Sequence, residues 1–365
     1  MKLPLLLACF VLLAHNVLAD QAFFYVSADD GIHRGSLDTA TGKLGPLTLA
    51  SPAPRPNFLA VSPDHKVIYA TQRNDVGSYT VGADGALTPL NSVDCGGSGP
   101  CHISLDGTGR YIFSANYNDA TVACFRLKPD GSVGEQTALQ RLTGSGPDQS
   151  RQEAAHAHSV YADPANKFVY SCDLGSDHVW SFKFDAAQGS LTPTDPPFAT
   201  VPPGSGPRHL VFHPNGRFVY VSNEMGHSVT AFTRNAASGA LTPFQTLSTL
   251  APGASYPGIT ITTAEIVCDA TGKRLYVSNR GCETLSLFSI AADGKLALAQ
   301  TTPCVAKFPR FFTLDPTGRW LLSAGQRDGH IAVLKLDPAT GQMTATDQVV
   351  TTIDPTCILF VPPAK

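Results

Sequence analysis

Apolar residues in this chain come in short runs, not in helical stripes. In RHLVFHPNGRFVYVSNE (208–224) two such runs flank the turn HPNGR, and charged residues stand at both ends. Short apolar runs bounded by Gly, Pro, Asn or Asp predict strands, and two around a polar turn predict a hairpin. The hairpin returns as LAVSPDHKVIYATQR (59–73), ISLDGTGRYIFSANY (103–117), VYADPANKFVYSCDL (160–174), IVCDATGKRLYVSNR (266–280) and FTLDPTGRWLLSAGQ (312–326). Near the N-terminus only its second half occurs, AFFYVSADD (22–30). Aligned on the second run, the anchors are Tyr25, Tyr69, Phe113, Tyr170, Tyr220, Tyr276 and Leu322, spaced by 44, 44, 57, 50, 56 and 46 residues. Seven copies at that period predict an all-β, seven-bladed propeller of four-stranded blades.

Each copy continues with a third strand, such as SVTAFTR, and a fourth after a Gly-containing turn, as in DTATGKLGPL, GADGALTPL or NAASGALTP. With the strands of a blade lettered A to D outward from the axis, the first copy begins at strand B. Its strand A is then expected from the C-terminus, where CILFVPP (357–363) fits the register of HLVFHPN (209–215). Pairing the two ends in one blade closes the ring and removes open strand edges. Two β-sandwich domains are the alternative, but they explain neither the seven copies nor the half-repeat, and no domain linker is visible.

Strands A and B are antiparallel, so the start of A and the end of B share one rim. Carried round the ring, the Arg208 position holds Asn57, Cys101, His158, Arg208, Ala264, Arg310 and Thr356. The Glu224 position holds Asp29, Arg73, Tyr117, Leu174, Glu224, Arg280 and Gln326. Together these positions supply four arginines, one histidine and two carboxylates, unlike the apolar runs between them. Polar and charged groups converging on a concave mouth predict a site. The long intervals come from extra residues before strand A, TGSGPDQSRQEAAHAH (143–158) and APGASYPGITITTAE (251–265), on the same rim. Long loops over a rigid scaffold often carry or cover a site. A single Arg208–Glu224 pair reads as a blade-to-blade salt bridge; four arginines with His158 on one rim read as function. His156 and His158 share a strand face and suit a metal, but no third ligand stands at suggestive spacing.

A hydrophobic fraction of 43%, a charged fraction of 15% and a net charge of −3 describe a globular chain with no electrostatic footprint for nucleic acid. Residues 1–19 stand apart. Lys2 precedes the run LPLLLACFVLLA, and VLA before Asp20 resembles a signal-peptidase site, so the propeller is expected to span 20–365 and to be exported, periplasmic or secreted. That run is too short for a membrane anchor, and a lipoprotein signal at Cys9 is disfavoured because the apolar run continues beyond it. Eight cysteines remain, an even number that permits disulfides in an exported protein. Cys95 and Cys101, closing a short Gly-rich loop, are the preferred pair; buried free thiols are the alternative.

The segments GPRHLVFHPNGRFVYVSNE, YVSNR, FPRFFTLDPTGRWLLSAGQ and HAHSV resemble the seven-bladed lactonases, a family that includes the bacterial propeller-type 6-phosphogluconolactonase and the fungal carboxy-cis,cis-muconate cyclase. The likeness spans nearly all of the chain beyond residue 19, and GPRH followed by Glu 16 residues after the Arg is its most specific motif. It implies a lactone hydrolase with His158, Arg208, Glu224 and Arg280 at the active site. Two features depart from the cytosolic pentose-phosphate enzyme: the export signal and the long 143–158 loop.

Lactone hydrolysis needs water delivered to an acyl carbon and charge stabilised on its oxygen. Glu224 and His158 are each suited to proton transfer. Arginine stays protonated, so Arg208 and Arg280 suit carboxylate, phosphate or a developing oxyanion. Arg73 and Arg310 are outer anion contacts, and Asn57, Tyr117 and Gln326 complete the substrate-binding set. No G-x-S-x-G elbow appears, which disfavours a covalent serine route. The expectation is a monomeric, metal-independent hydrolase of a small anionic sugar lactone, without cofactor, nucleic acid or membrane. The rivals are a muconate-type cyclase, a non-catalytic exported propeller that binds a ligand or protein, and a metal-dependent sugar lactonase. The fold alone does not choose among them.

Overall fold

Strand B accounts for the apolar runs. Tyr111–Asn116, Phe168–Asp173 and Phe218–Asn223 are buried at every position, because both faces of the inner sheet pack against neighbouring blades. Strand D is largely open to solvent, as at Leu241–Ser248, where Leu241 alone is buried. A computed structural model describes residues 21–361; these form seven antiparallel sheets of four strands each, with no helix among the described residues. The expected signal peptide, residues 1–19, lies outside the described residues.

The ring closes as the repeat predicts. Cys357–Val361 is strand A of the first blade and pairs antiparallel with Gln21–Ala28, with Tyr25 opposite Leu359 and Ser27 opposite Cys357. Thr356 and Ser27 add a buried hydroxyl contact of 2.8 Å across the join. The apolar core lies between blades. One cluster, for example, joins Tyr220, Val229 and Ala231 of the fifth blade to Ile266, Val277 and Phe288 of the sixth.

The anchor tyrosines fasten each blade to the next. Tyr25, Tyr69, Tyr170, Tyr220 and Tyr276 donate their hydroxyls to the carbonyls of Gly85, Gly131, Gly239, Gly294 and Gly341, in the C–D turns of the following blades. Where the anchor is Phe113 or Leu322, the residue two places earlier supplies the donor. Tyr111 reaches the Ala187 carbonyl and Trp320 Nε1 the Thr39 carbonyl. All seven junctions are thus latched, which explains the recurring aromatic and the Gly turn together. On the far rim, Asp106, Asp163, Asp269 and Asp315 cap the A–B turns by accepting backbone N–H groups four and five residues on.

The Cys95–Cys101 disulfide does not form. All eight cysteines of the described residues are free thiols. Cys95 Sγ donates to the Gly97 carbonyl, while Cys101 Sγ, on strand A of the third blade, turns to the His158 carbonyl of the next. Loop closure in the sequence did not bring the two sulfurs together, because one belongs to an outer edge and the other to the axial strand.

Candidate active site

Bulges aim the rim residues at the axis. Strand A of successive blades is Pro56–Val61, Pro100–Leu105, Ala157–Ala162, Pro207–Phe212, Thr262–Cys268 and Pro309–Leu314. In each, pairing with strand B slips near its first residues: between Pro56 and Leu59, Pro100 and His102, Ala157 and Ser159, Pro207 and His209, Thr263 and Ile266, and Pro309 and Phe311. The unpaired residues include Asn57, Cys101, His158, Arg208, Ala264 and Arg310, the ring read from the sequence. A bulged residue leaves the ladder and its side chain is re-aimed. Ahead of Arg208, Gly206 has φ +61°, donates to Asp177 Oδ1 at 2.7 Å, and accepts the Glu224 N–H at 2.7 Å. The left-handed backbone there favours glycine, and the two bonds set Arg208 beside Glu224.

Four of the expected residues meet in one buried cluster. Glu224 Oε2 receives Arg208 Nε at 3.1 Å and Arg280 Nη2 at 2.8 Å, with His158 Nε2 at 3.9 Å. Arg208, Glu224, His158 and Arg280 are all at most 5% exposed. A third guanidinium, missed in the sequence, caps the other oxygen: Arg151 Nη2 lies 2.9 Å from Glu224 Oε1 and 3.4 Å from Tyr117 Oη. Arg151 belongs to the long loop before strand A of the fourth blade. Its neighbour Gln152 is fully buried and fixes that loop by donating to Asp177 Oδ1 and to the Leu174 carbonyl. One carboxylate, Asp177, therefore holds both the Arg151 loop and the turn leading to Arg208.

Electrostatics sort the proton carriers. Burial alone would raise the Glu224 carboxyl, but Arg280, Arg208 and Arg151 outweigh it and hold it at about 2. Burial, reinforced by Arg208, His209, Arg310 and Arg280, pushes His158 well below the usual imidazole range, so it is neutral. Burial lowers Arg280 to about 10 against the pull of Glu224, which leaves it protonated at neutral pH.

The outer residues line a neighbouring cleft of about 370 Å³. Asn57, Arg73, Arg310 and Gln326 border it, with Asp29, Arg55, Asp354 and Thr356. Arg55 pairs with Asp29 at 2.7 Å, whereas the side chains of Arg73 and Arg310 have no hydrogen-bond or ion-pair partner among the described residues. Arg310 borders the cleft and also acts electrostatically on Glu224, joining the two regions. Tyr117 does not line the cleft; it stacks on His156 at 4.5 Å and meets His158 edge-on at 5.7 Å. Leu174 and Ala264 are buried apolar members of the rings. Among the described residues, no three His, Cys, Asp or Glu side chains are grouped as metal ligands.

One residue deeper, Phe58, His102, Ser159, His209, Glu265, Phe311 and Cys357 form a further ring that the sequence reading passed over. His209 Nδ1 lies 2.9 Å from Glu265 Oε2, and Phe58, His102 and His209 pack as aromatic neighbours. The register that located Arg208 locates these positions too, since each follows its rim residue directly.

The model of a family described as "Lactonase, 7-bladed beta-propeller" matches residues 24–360. The 6-phosphogluconolactonase of Bacillus subtilis is 29% identical over 338 residues, covering 91% of this chain and 95% of that protein. The 6-phosphogluconolactonase of Formosa agariphila is 32% identical over 333 residues, covering 87% and 92%. The solved structure of a periplasmic gluconolactonase from Pseudomonas aeruginosa superposes with a TM-score of 0.87 at 28% identity, covering 94% of this chain and 99% of that one.

Proposed function

The chain belongs to the seven-bladed β-propeller lactonases and is a lactone hydrolase; from that premise we propose that it opens an anionic sugar lactone of the 6-phosphogluconolactone type without a metal ion. The observation that carries this reading is the charge balance of the mouth. Arg151, Arg208, Arg280 and Arg310 contribute +4 and Glu224 contributes −1, leaving +3 around a neutral His158. Such a surplus in a largely buried site favours a substrate that brings negative charge. Arginine also presents a planar fork suited to phosphate, carboxylate or an oxyanion.

In this mechanism Glu224 is the general base. It takes a proton from water as the water oxygen bonds to the lactone carbonyl carbon, and the carbonyl electron pair moves onto its oxygen. Arg208 and Arg280 receive that negative charge. The intermediate collapses by breaking the bond to the ring oxygen, which takes the proton back from Glu224. A carboxyl held this acidic returns its proton readily, but it is a weak acceptor from water while all three guanidinia hold it. His158, kept neutral, offers a hydrogen bond to the water or to the ring oxygen without adding charge. Arg73 and Arg310 draw the substrate's anionic group in through the cleft, and Asn57, Gln326 and Tyr117 border its path.

Export is part of the same proposal, supported by the apolar run after Lys2 and by the periplasmic relative. The metal-independent route is tested by dialysis against EDTA. Full activity is expected afterwards, and loss of activity restored by calcium or zinc would overturn the arginine-based route.

A further inference from the structure

We infer that Arg151 is a substrate-displaced cap on Glu224, and that this cap makes the site selective for lactones bearing an anionic group. The inference rests on the lactonase reading of the cluster. The three guanidinia on Glu224 are not equivalent. Arg208 and Arg280 both hold Oε2, are 2% and 4% exposed, and project from strands. Arg280 is further fixed by a bond to the Thr263 carbonyl at 3.1 Å and lies over the Phe308 ring at 5.1 Å. Withdrawing either one leaves a buried charge unpaired, which is strongly unfavourable. Arg151 alone holds Oε1, its side chain is 39% exposed, and its other contact, to Tyr117 Oη, is a long 3.4 Å. More than a third of its side chain is exposed, so leaving Glu224 costs Arg151 less than it would cost the buried Arg208 or Arg280.

The loop beneath does not need to move. Besides the two Gln152 side-chain bonds, Gly146 donates to the Gln152 carbonyl and Gln152 N–H to the Asp148 carbonyl. Rotation of the Arg151 side chain alone therefore uncovers Oε1. A phosphate or carboxylate on the substrate competes for the guanidinium through paired, charge-assisted hydrogen bonds; a neutral lactone offers no such pull. Once uncovered, Oε1 presents a free lone pair to water, and a carboxylate facing one cation fewer is more basic. Binding of the correct anion thus exposes the base.

The other titratable or charged groups facing Glu224 are Arg208 and His209 of the fifth blade, Arg280 of the sixth, Arg310 of the seventh, His158 of the fourth, and Cys101 and Tyr117 of the third. None of these is freed from Oε1 by an anion, since none holds it.

Arg151→Met and Arg151→Lys test the inference, with kcat/KM measured against pH for δ-gluconolactone and its 6-phosphate. In Arg151→Met the preference for the phosphorylated lactone is expected to fall at least about tenfold, the loss of one bidentate charged contact. The acid limb for the neutral lactone should move to higher pH, because removing a cation raises the Glu224 pKa. Arg151→Lys should recover part of both effects. An unchanged preference, equal losses on the two lactones, or an unmoved acid limb would overturn the cap while leaving the lactonase reading intact. A wild-type enzyme inert toward both lactones would overturn that reading and the cap with it.

Discussion

Glu224→Gln should lower kcat by about 10²-fold or more in protein that remains folded. The substitution keeps a hydrogen-bonding carbonyl but removes the proton acceptor and the charge. Stability should fall as well, because Arg208, Arg280 and Arg151 lose their shared counter-charge in a buried cluster. The burial of Glu224 at 5% exposure and its contact with three guanidinia are the cause of that loss. Activity is therefore measured at a temperature where circular dichroism shows the variant folded. The sign of the wild-type pH dependence follows from the same cluster. A carboxyl lowered from 4.5 to about 2 contributes stability fully above its unfolded pKa, and loses it as pH falls through the folded value. Folded Glu224→Gln with wild-type kcat would remove the carboxylate from the chemistry and leave it a purely structural anchor.

Deleting residues 356–365 should abolish the folded monomer. Cys357–Val361 supplies the axial strand of the first blade, and its loss bares the edge of the strand from Phe23 to Ser27. It also removes Cys357, Ile358 and Val361 from the core shared with Tyr25, Ile68 and Leu322. An exposed, apolar inner edge is a template for aggregation. Expression and light scattering decide the matter: a soluble truncated chain with an unchanged Tm would mean that the ring does not depend on its closing strand.

What was legible in the sequence was whatever repeats. Six hairpins and one half-repeat specify the seven blades, and the half-repeat at Tyr25 specifies the partner at Leu359. The two rim rings follow because one register extends to all blades, and it brought His158, Arg208, Glu224 and Arg280 to one place. Three features did not follow, each for its own reason. The bulges that turn Arg208 and Arg310 toward the axis are local departures from strand alternation, and alternation is what the pattern encodes. Arg151 sits among the extra residues of 143–158 ahead of strand A, which follow no repeat, so no register reaches it. His209 and Glu265 lie one residue beyond the rim ring in a stretch read as core, where a buried polar pair resembles strand filler until its 2.9 Å contact is seen. The cysteines misled because their even number suggested bridges, while Cys95, Cys124, Cys172, Cys304 and Cys357 are buried in the apolar clusters as small apolar residues.

Hydrolysis of an anionic lactone by an arginine-clamped carboxylate releases acid, which a pH-stat follows. Initial rates of acid release are compared for δ-gluconolactone 6-phosphate, δ-gluconolactone and a muconolactone. Hydrolysis well above the uncatalysed rate is expected, with the highest kcat/KM for the 6-phosphate. Acid release at the uncatalysed rate for all three would contradict it.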